Sequence, residues 1–344
     1  VSTEGLDTDA LSTWLDSAAP GLLEDPLEAS LITGGKSNLT YAVTDGTREV
    51  IVRRPPLGHV LATAHDMSRE YRVMTALAPT DVPVPETFAL CEDESVIGAP
   101  FYVMERAAGL AYSRADQLAG HGPERTRAIT ERLVDTLVDL HAVDYESVGL
   151  GDFGRPEGYL ERQVARWKKQ LDASRSRELP GMDDLIAMLD ADIPTGGDST
   201  IVHGDYRLDN VLVDDSDSIT AVLDWEMCTL GDPLTDVAIL LAYQQLAEAA
   251  PPGTTAGLVT DAPRAPGYLP RDEVLTRYAE RSGRDVSDLH FHVAFSFFKL
   301  AVILEGIHYR HSHGQTLGAG FDGIGDLIEP LIQAGLHAGS ATDQ

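Results

Sequence analysis

Cysteine is nearly absent: of 344 residues only two carry thiols, Cys91 and Cys228. They lie far apart with no Cys-x-x-Cys spacing. That argues against a disulfide framework or a thiolate zinc site and suits a reducing compartment. Basic residues are scarce too, 26 Lys and Arg against 55 Asp and Glu, giving a formal charge of −29. So much negative charge repels nucleic-acid phosphates and anionic lipid, which sets aside nucleic acid and membrane surfaces as partners. Its plainest role is solvation of the surface. Residues 1–9 have neither the basic nor the apolar part of a signal peptide. The longest apolar stretch, Val293–Leu304, is interrupted by Lys299 and is too short to span a bilayer. The expectation is a cytoplasmic protein with no membrane segment. No internal repeat is visible, and nothing in the sequence fixes an oligomeric state.

What is present divides into two halves. Residues 7–18 read as a short amphipathic helix capped by Asp7 or Thr8, with Leu11, Trp14 and Leu15 on one face. Leu31-Ile32 then leads through Gly34-Gly35-Lys36-Ser37-Asn38 into a strand at Leu39–Thr44. Asp45-Gly46 is a hairpin turn signal, and Val50–Val52 forms the next strand. Residues 63–78 carry helical spacing (Met67, Tyr71, Met74, Leu77), and strands follow at Thr87–Cys91 and Phe101–Met104. Beyond a hinge at 105–110 the pattern turns helical, over 124–142, 157–175, 182–190, 233–248, 271–282 and 287–310. Short strands at Thr200–Val202, Val211–Val213 and Ala221–Leu223 interrupt it. Residues 249–267, rich in Pro, Gly, Thr and Ala, read as a long loop.

Two motifs in the second half carry chemistry. The first is His203-Gly204-Asp205-Tyr206-Arg207-Leu208-Asp209-Asn210, set between short apolar strands; the second is Val222-Leu223-Asp224-Trp225-Glu226, after the next strand. Phosphoryl transfer needs a carboxylate beside the incoming hydroxyl and hard oxygen ligands for one or two Mg²⁺ ions. Asp205 meets the first need. Asn210 and Asp224 supply neutral and anionic oxygens for the second.

The order Asp-x-x-x-x-Asn, strand, Asp resembles the protein kinase catalytic loop and metal-binding Asp. Here it takes the His-Gly-Asp form of the aminoglycoside phosphotransferase and choline kinase relatives. The run Leu223–Asp236, with Gly231-Asp232-Pro233, is similar to that family as well. The resemblance implies an α+β, bilobal, protein-kinase-like fold. Its N-lobe (1–106) is a small antiparallel sheet with a nucleotide-clamping glycine turn, and its C-lobe (107–344) is mostly helical and holds the catalytic loop, metal site and acceptor pocket. By the same resemblance Asp205 is the catalytic base and Asn210 and Asp224 hold Mg²⁺. His203 braces the loop, Asp236 is a structural carboxylate at a helix start, and Arg207 and Glu226 are secondary candidates.

The first half then supplies the ATP site. Gly34, Gly35, Lys36, Ser37 and Asn38 form a turn whose amides can approach phosphate; it is not a Walker loop, because no Gly-Lys-Ser/Thr opens a helix. Val50-Ile51-Val52-Arg53 stands where kinases carry Val-Ala-Ile-Lys, so Arg53, or its neighbour Arg54, replaces the phosphate-binding lysine, with Glu70 as the partner of Arg53. The alternative for Glu70 is a solvent pair with Arg69 or Arg72. By the same resemblance Met104 would line the adenine pocket, and the backbone of Glu105 to Ala107 would bond the base. His141 reads as a packed or capping histidine. His308, His311 and His313 with Tyr309 and Arg310 read as a polar helix end, with Arg310 a candidate contact for an anionic acceptor.

The implied reaction is transfer of the ATP γ-phosphoryl group to a small-molecule hydroxyl, aminoglycoside-like or metabolic. Within the family, the segments around Val211, Asp224–Thr235 and Phe298–Gly318 look most like kinase domains associated with acyl-CoA dehydrogenases, which implies a hydroxyacyl acceptor. Two rivals stand beside this reading. One is a catalytically weak nucleotide-binding module, favoured by Arg53. The other is a metal-dependent hydrolase with His203, Asp205 and Asp224 as ligands.

Overall fold

Alternation of side chains across a pleated strand organises the first half of the molecule. The fold described here is a computed structural model covering residues 4–24, 26–32, 38–57, 66–249, 260–314 and 323–340. Gly34, Gly35, Lys36 and Ser37 of the expected phosphate turn lie outside these residues, as do positions 250–259 of the long loop.

The chain forms two compact units, the first made of Val1–Leu110, Leu212–Asp215 and Ile219–Cys228. Its helix α1 (Thr8–Ala18) is capped by Asp7, whose carboxylate accepts from Asp9 and Ala10 N–H. An antiparallel sheet follows, with β1 (Glu28–Leu31), β2 (Leu39–Thr44), β3 (Glu49–Arg54), β4 (Thr87–Cys91) and β5 (Phe101–Glu105) in the order β1-β2-β3-β5-β4. Tyr41, Val43, Val50, Val52, Phe101 and Val103 share one face and form a core with Leu11 and Leu15 of α1. Trp14 meets the Phe101 ring edge-on at 4.8 Å. The opposite face carries Ile51, Arg53, Tyr102 and Met104, paired across the register as Ile51 with Met104 and Arg53 with Tyr102. Helix α2 (Met67–Leu77) buries Met67, Glu70, Val73, Met74 and Leu77. Glu70 therefore stands in the apolar stripe.

The second unit is Ala111–Val211, Ser216–Ser218 and Thr229–Gln344. It contains α3 (Ala115–Ala119), α4 (Pro123–Ala142), α5 (Tyr159–Ser174) and α6 (Met182–Ala191). Its strand β6 (Thr200–Val202) pairs antiparallel with β9 (Thr229–Gly231), whereas the hairpin of β7 (Val211–Val213) and β8 (Ile219–Val222), between them in the chain, belongs to the first unit save for Val211 at its start and the turn Ser216–Ser218. Helices α7 (Leu234–Ala249), α8 (Arg271–Ser282), α9 (His290–Ser312) and α10 (Ile328–Gly339) complete the second unit. Helix α9 packs on α5, α7 and α10. At 23 residues α9 is longer than the apolar stretch in the sequence and is long and apolar enough to cross a bilayer, yet 83% of its most apolar window is buried in protein. It is the core helix of this unit.

Candidate active site

In the first unit, strand parity decides what each of the two adjacent arginines does. Arg54 shares the face of Val50 and Val52. It is buried, and its Nη1 donates to the carbonyls of Gly5 and Ile97. Arg53 projects from the other face. Its Nε lies 3.1 Å from Glu70 Oε2 and its Nη2 lies 2.5 Å from Asp224 Oδ1. Glu70 is buried; Oε1 accepts from Asn38 Nδ2 at 3.0 Å and Oε2 from the Tyr102 hydroxyl at 2.8 Å. Burial pushes the Glu70 carboxyl above its usual range, with Arg53 and Tyr102 opposing. Every group on its oxygens is a donor, so its surroundings accommodate the ionised form. Burial also opposes the Arg53 charge, and Tyr102, Glu70 and Asp224 more than restore it. Glu70 is thus held inside by Arg53, Tyr102 and Asn38, not in a solvent pair with Arg69 or Arg72.

Asp224 follows β8 with φ +65°, ψ +57°, a left-handed conformation costly for a residue with a Cβ. It opens a 3-10 turn, Trp225–Met227, in which Trp225 is buried and its indole N–H donates to Val222 O. Glu226 Oε2 lies 3.5 Å from Asn38 Nδ2. Met104 is buried on the Arg53 face. Glu105 is exposed, and its N–H donates to Glu86 O at 2.7 Å. Ala107 lies half-buried just beyond β5.

In the second unit the loop after β6 is gripped from several sides. Asp236, fully buried on the first turn of α7, accepts His203 N–H on Oδ2 and Gly204 N–H on Oδ1, both at 2.7 Å. Gly204 has φ +85°, the turn that presents Asp205. The Gly204 carbonyl accepts from Lys299 Nζ of α9, and His203 Nδ1 accepts Asp205 N–H at 3.2 Å. His203 and Asp236 thus stand at the loop's backbone, as bracing residues would.

The Asp205 carboxylate has partners on both oxygens. Tyr243 of α7 donates to Oδ1 at 2.7 Å and Asn210 Nδ2 lies 3.1 Å from Oδ2. Arg207 Nε is 3.6 Å from Oδ2, and its guanidinium stands 4.7 Å from the Tyr243 ring centroid. Burial pushes the Asp205 carboxyl up; Arg207, Lys299 and the Tyr243 hydroxyl outweigh it and hold the group below the usual carboxylate range. Burial lowers Lys299, with Asp205 and Asp236 opposing. The result is a carboxylate that stays ionised at neutral pH.

Asn210 carries an amide oxygen of the kind that could hold a metal. Its NH₂ group faces two acceptors, Asp205 O at 2.8 Å and Asp205 Oδ2 at 3.1 Å, which fixes the amide orientation and directs Oδ1 away from Asp205. Asn210 Oδ1 and the Asp224 carboxylate are hard oxygens, the donor type Mg²⁺ takes. Among the described residues no group of three His, Cys, Asp or Glu side chains could hold a metal. Magnesium bound by one or two protein groups plus phosphate oxygens requires no such group. His308, Arg310 and His311 lie in the last turn of α9, with His313 just beyond it.

Elsewhere in the second unit, His141 is fully buried between the Tyr278 hydroxyl at 2.8 Å and Asp236 Oδ2 at 3.3 Å, a packed histidine as its sequence context implied. Two residues around Asp205 escaped the sequence reading, Tyr243 and Lys299. Each had a signal. Tyr243 is seven residues after Asp236, two helical turns along one face. Lys299 is the single cation in an apolar run, a pattern that implies a buried partner.

The family model described as the phosphotransferase enzyme family, APH, matches residues 28–271. Acyl-CoA dehydrogenase family member 10 of Mus musculus is 35% identical over 333 residues, covering 96% of this chain and 31% of that protein. The chain therefore spans about a third of that relative's length. A crystal structure from Ralstonia eutropha, provisionally assigned as an aminoglycoside phosphotransferase, superposes with a TM-score of 0.83 at 36% identity, covering 98% of this chain and 99% of that one. Choline kinase from Cryptosporidium parvum, at 12% identity, shares the fold alone, with a TM-score of 0.64 over 96% of this chain and 95% of its own. The α+β architecture is thus kinase-like. With the family model covering most of the chain, this chain belongs to the APH phosphotransferase family.

Proposed function

We propose that the protein is a small-molecule kinase that moves the γ-phosphoryl group of ATP to a hydroxyl, with Mg²⁺ as the metal. The observation that carries the reading is Asp205: an ionised carboxylate whose Oδ1 already accepts a hydroxyl donor, Tyr243, at 2.7 Å. An acceptor hydroxyl would approach the same carboxylate, be oriented by it and pass its proton to it. Phosphoryl transfer passes through a loose transition state, so orientation matters more than base strength, and a depressed Asp205 suits that task. Magnesium would neutralise the polyphosphate, held by the oxygens of Asn210 and Asp224. Arg53, anchored by Glu70, would supply the fixed positive charge for phosphate. Asn38 and the glycine turn before it would face the phosphates, while Met104, the Glu105 carbonyl and Ala107 would line the adenine site. In this reading 1–106 clamps nucleotide and 107–344 carries the catalytic loop and acceptor pocket.

For the acceptor, the likeness to a protein named acyl-CoA dehydrogenase family member 10 supports a hydroxyacyl compound over an aminoglycoside. Both thiols, Cys91 and Cys228, are buried and neither is in a disulfide, which supports a reducing, cytoplasmic setting. The test is a screen of hydroxyacyl compounds and aminoglycosides for acceptor-dependent ADP release, repeated with Asp205→Asn. Turnover should fall by about 10²- to 10⁴-fold in the variant while nucleotide affinity holds. Equal loss of both would remove Asp205 from its role.

A further inference from the structure

Arginine at position 53 does something a lysine does poorly. An ammonium is a point charge, whereas a guanidinium is a planar fork with donors on separate nitrogens. Here the fork spans two carboxylates, with Nε 3.1 Å from Glu70 and Nη2 2.5 Å from Asp224. The two ends differ. Glu70 is fixed, with its side chain 2% exposed and both oxygens held by Asn38 and Tyr102. Asp224 is the accessible end, with its side chain 26% exposed.

We propose that Arg53 is a charge latch on Asp224: in the nucleotide-free protein the guanidinium anchored on Glu70 covers the Asp224 carboxylate, so a divalent cation gains Asp224 only together with a nucleotide whose phosphates take over Arg53. The proposal rests on the Mg²⁺-nucleotide reading above. Its physical basis is competition for one oxygen. A divalent cation arriving alone at Asp224 must displace Arg53 and then face that positive charge at close range with no added anion. A polyphosphate arriving with the cation gives both positive groups a partner. Metal and nucleotide are then coupled through Arg53, and by linkage each raises the affinity of the other by the same factor. The latch makes nucleotide-free protein a poor scavenger of divalent cations despite its formal charge of −29.

The experiment is a Mn²⁺ titration of the full chain, reading free Mn²⁺ by electron paramagnetic resonance, without nucleotide and then with ADP or ATP. Wild type, Asp224→Asn, Arg53→Met and Arg53→Met/Asp224→Asn are compared, and the Asp224-dependent difference within each pair removes binding to the acidic surface. Without nucleotide, wild type and Asp224→Asn should bind Mn²⁺ alike, whereas Arg53→Met should gain an Asp224-dependent site about 5- to 150-fold tighter than in wild type, the usual range for coupled sites. A merely structural loss would not raise metal affinity. Arg53→Met leaves Glu70 buried without its cation; if it does not fold, Arg53→Met/Glu70→Gln removes both charges and gives the same comparison. Wild type binding nucleotide-free Mn²⁺ through Asp224 as tightly as the Arg53 variants would overturn the latch. If ADP and ATP leave Mn²⁺ binding unchanged, the kinase reading falls, while the nucleotide-free arms still decide whether Arg53 masks Asp224.

Discussion

Replacing Asp236 by Asn keeps the shape of the side chain and removes its charge, which makes it a sharp test of how the catalytic loop is held. Asp236 is fully buried and accepts three donors: His203 N–H and Gly204 N–H at 2.7 Å each, and His141 Nε2 at 3.3 Å. Asparagine keeps one acceptor oxygen and turns the other into a donor, so at least one backbone N–H faces an NH₂ group in a closed interior. A hydrogen bond to a charged group contributes about 1.5–3 kcal/mol, and breaking a buried charged pair costs about 3–5 kcal/mol. The substitution should therefore destabilise the protein by about 3–5 kcal/mol, read as a lower urea midpoint at unchanged slope. Burial pushes the Asp236 carboxyl up, but His141, His203 and Gly204 N–H outweigh it and hold its pKa below the ordinary value. The contribution of a depressed carboxylate is present above its unfolded pKa and lost as pH falls through the folded one, so the deficit of the variant should shrink only in acid. A loss no larger than that of Asp116→Asn, which breaks an exposed pair with Arg114, would refute the claim that Asp236 holds the loop.

Four further outcomes follow from the geometry of the two units. Burial lowers the pKa of His141, whose neighbours are Asp236, Tyr278, Arg284 and Asp232, so the folded state favours the neutral ring. That contribution is present above about pH 6.5 and lost as pH falls; urea melts should show wild type losing more stability than His141→Gln between about pH 7.5 and about pH 5.5. Gly231→Ala would set a Cβ 2.6 Å from the buried Tyr159 ring, an overpacking that should cost about 1–3 kcal/mol in a thermal or urea melt. Arg54→Met strips a buried cation from the Gly5 and Ile97 carbonyls and should destabilise the protein while leaving nucleotide affinity unchanged in calorimetry. Arg53→Met should instead weaken nucleotide binding.

Much of the first unit was legible because a strand writes its two faces into alternate positions. Strands at Leu39–Thr44 and Thr87–Cys91 fall where the β-formers and turn residues put them, and Asp45 accepts Thr47 and Arg48 N–H at the expected hairpin. Parity also separates Arg53 from Arg54, a distinction available in Val50-Ile51-Val52 but not drawn from the sequence. Glu70 was visible in the same way, three residues after Met67 and four before Met74 on the buried stripe of α2. Strand β9 was not legible: three residues, Thr229–Gly231, exist as a strand only through pairing with Thr200–Val202, and no local period records a partner so far away. The same holds for the surroundings of Asp205. Its motif is contiguous and announces itself, while Tyr243 and Lys299 come from α7 and α9, dozens of residues on, and meet it only when those helices pack.

The most direct test of the central claim is a thermal-shift titration with ATP, GTP and ADP, with and without Mg²⁺, on wild type and Asp224→Ala. A ligand that binds only the folded state adds ~2.7 kcal/mol of stability at a hundredfold excess over its Kd. The account predicts a nucleotide-dependent rise in Tm that grows with Mg²⁺ and loses that growth in Asp224→Ala. No shift with any nucleotide, or a Mg²⁺ effect unchanged by the substitution, would contradict it.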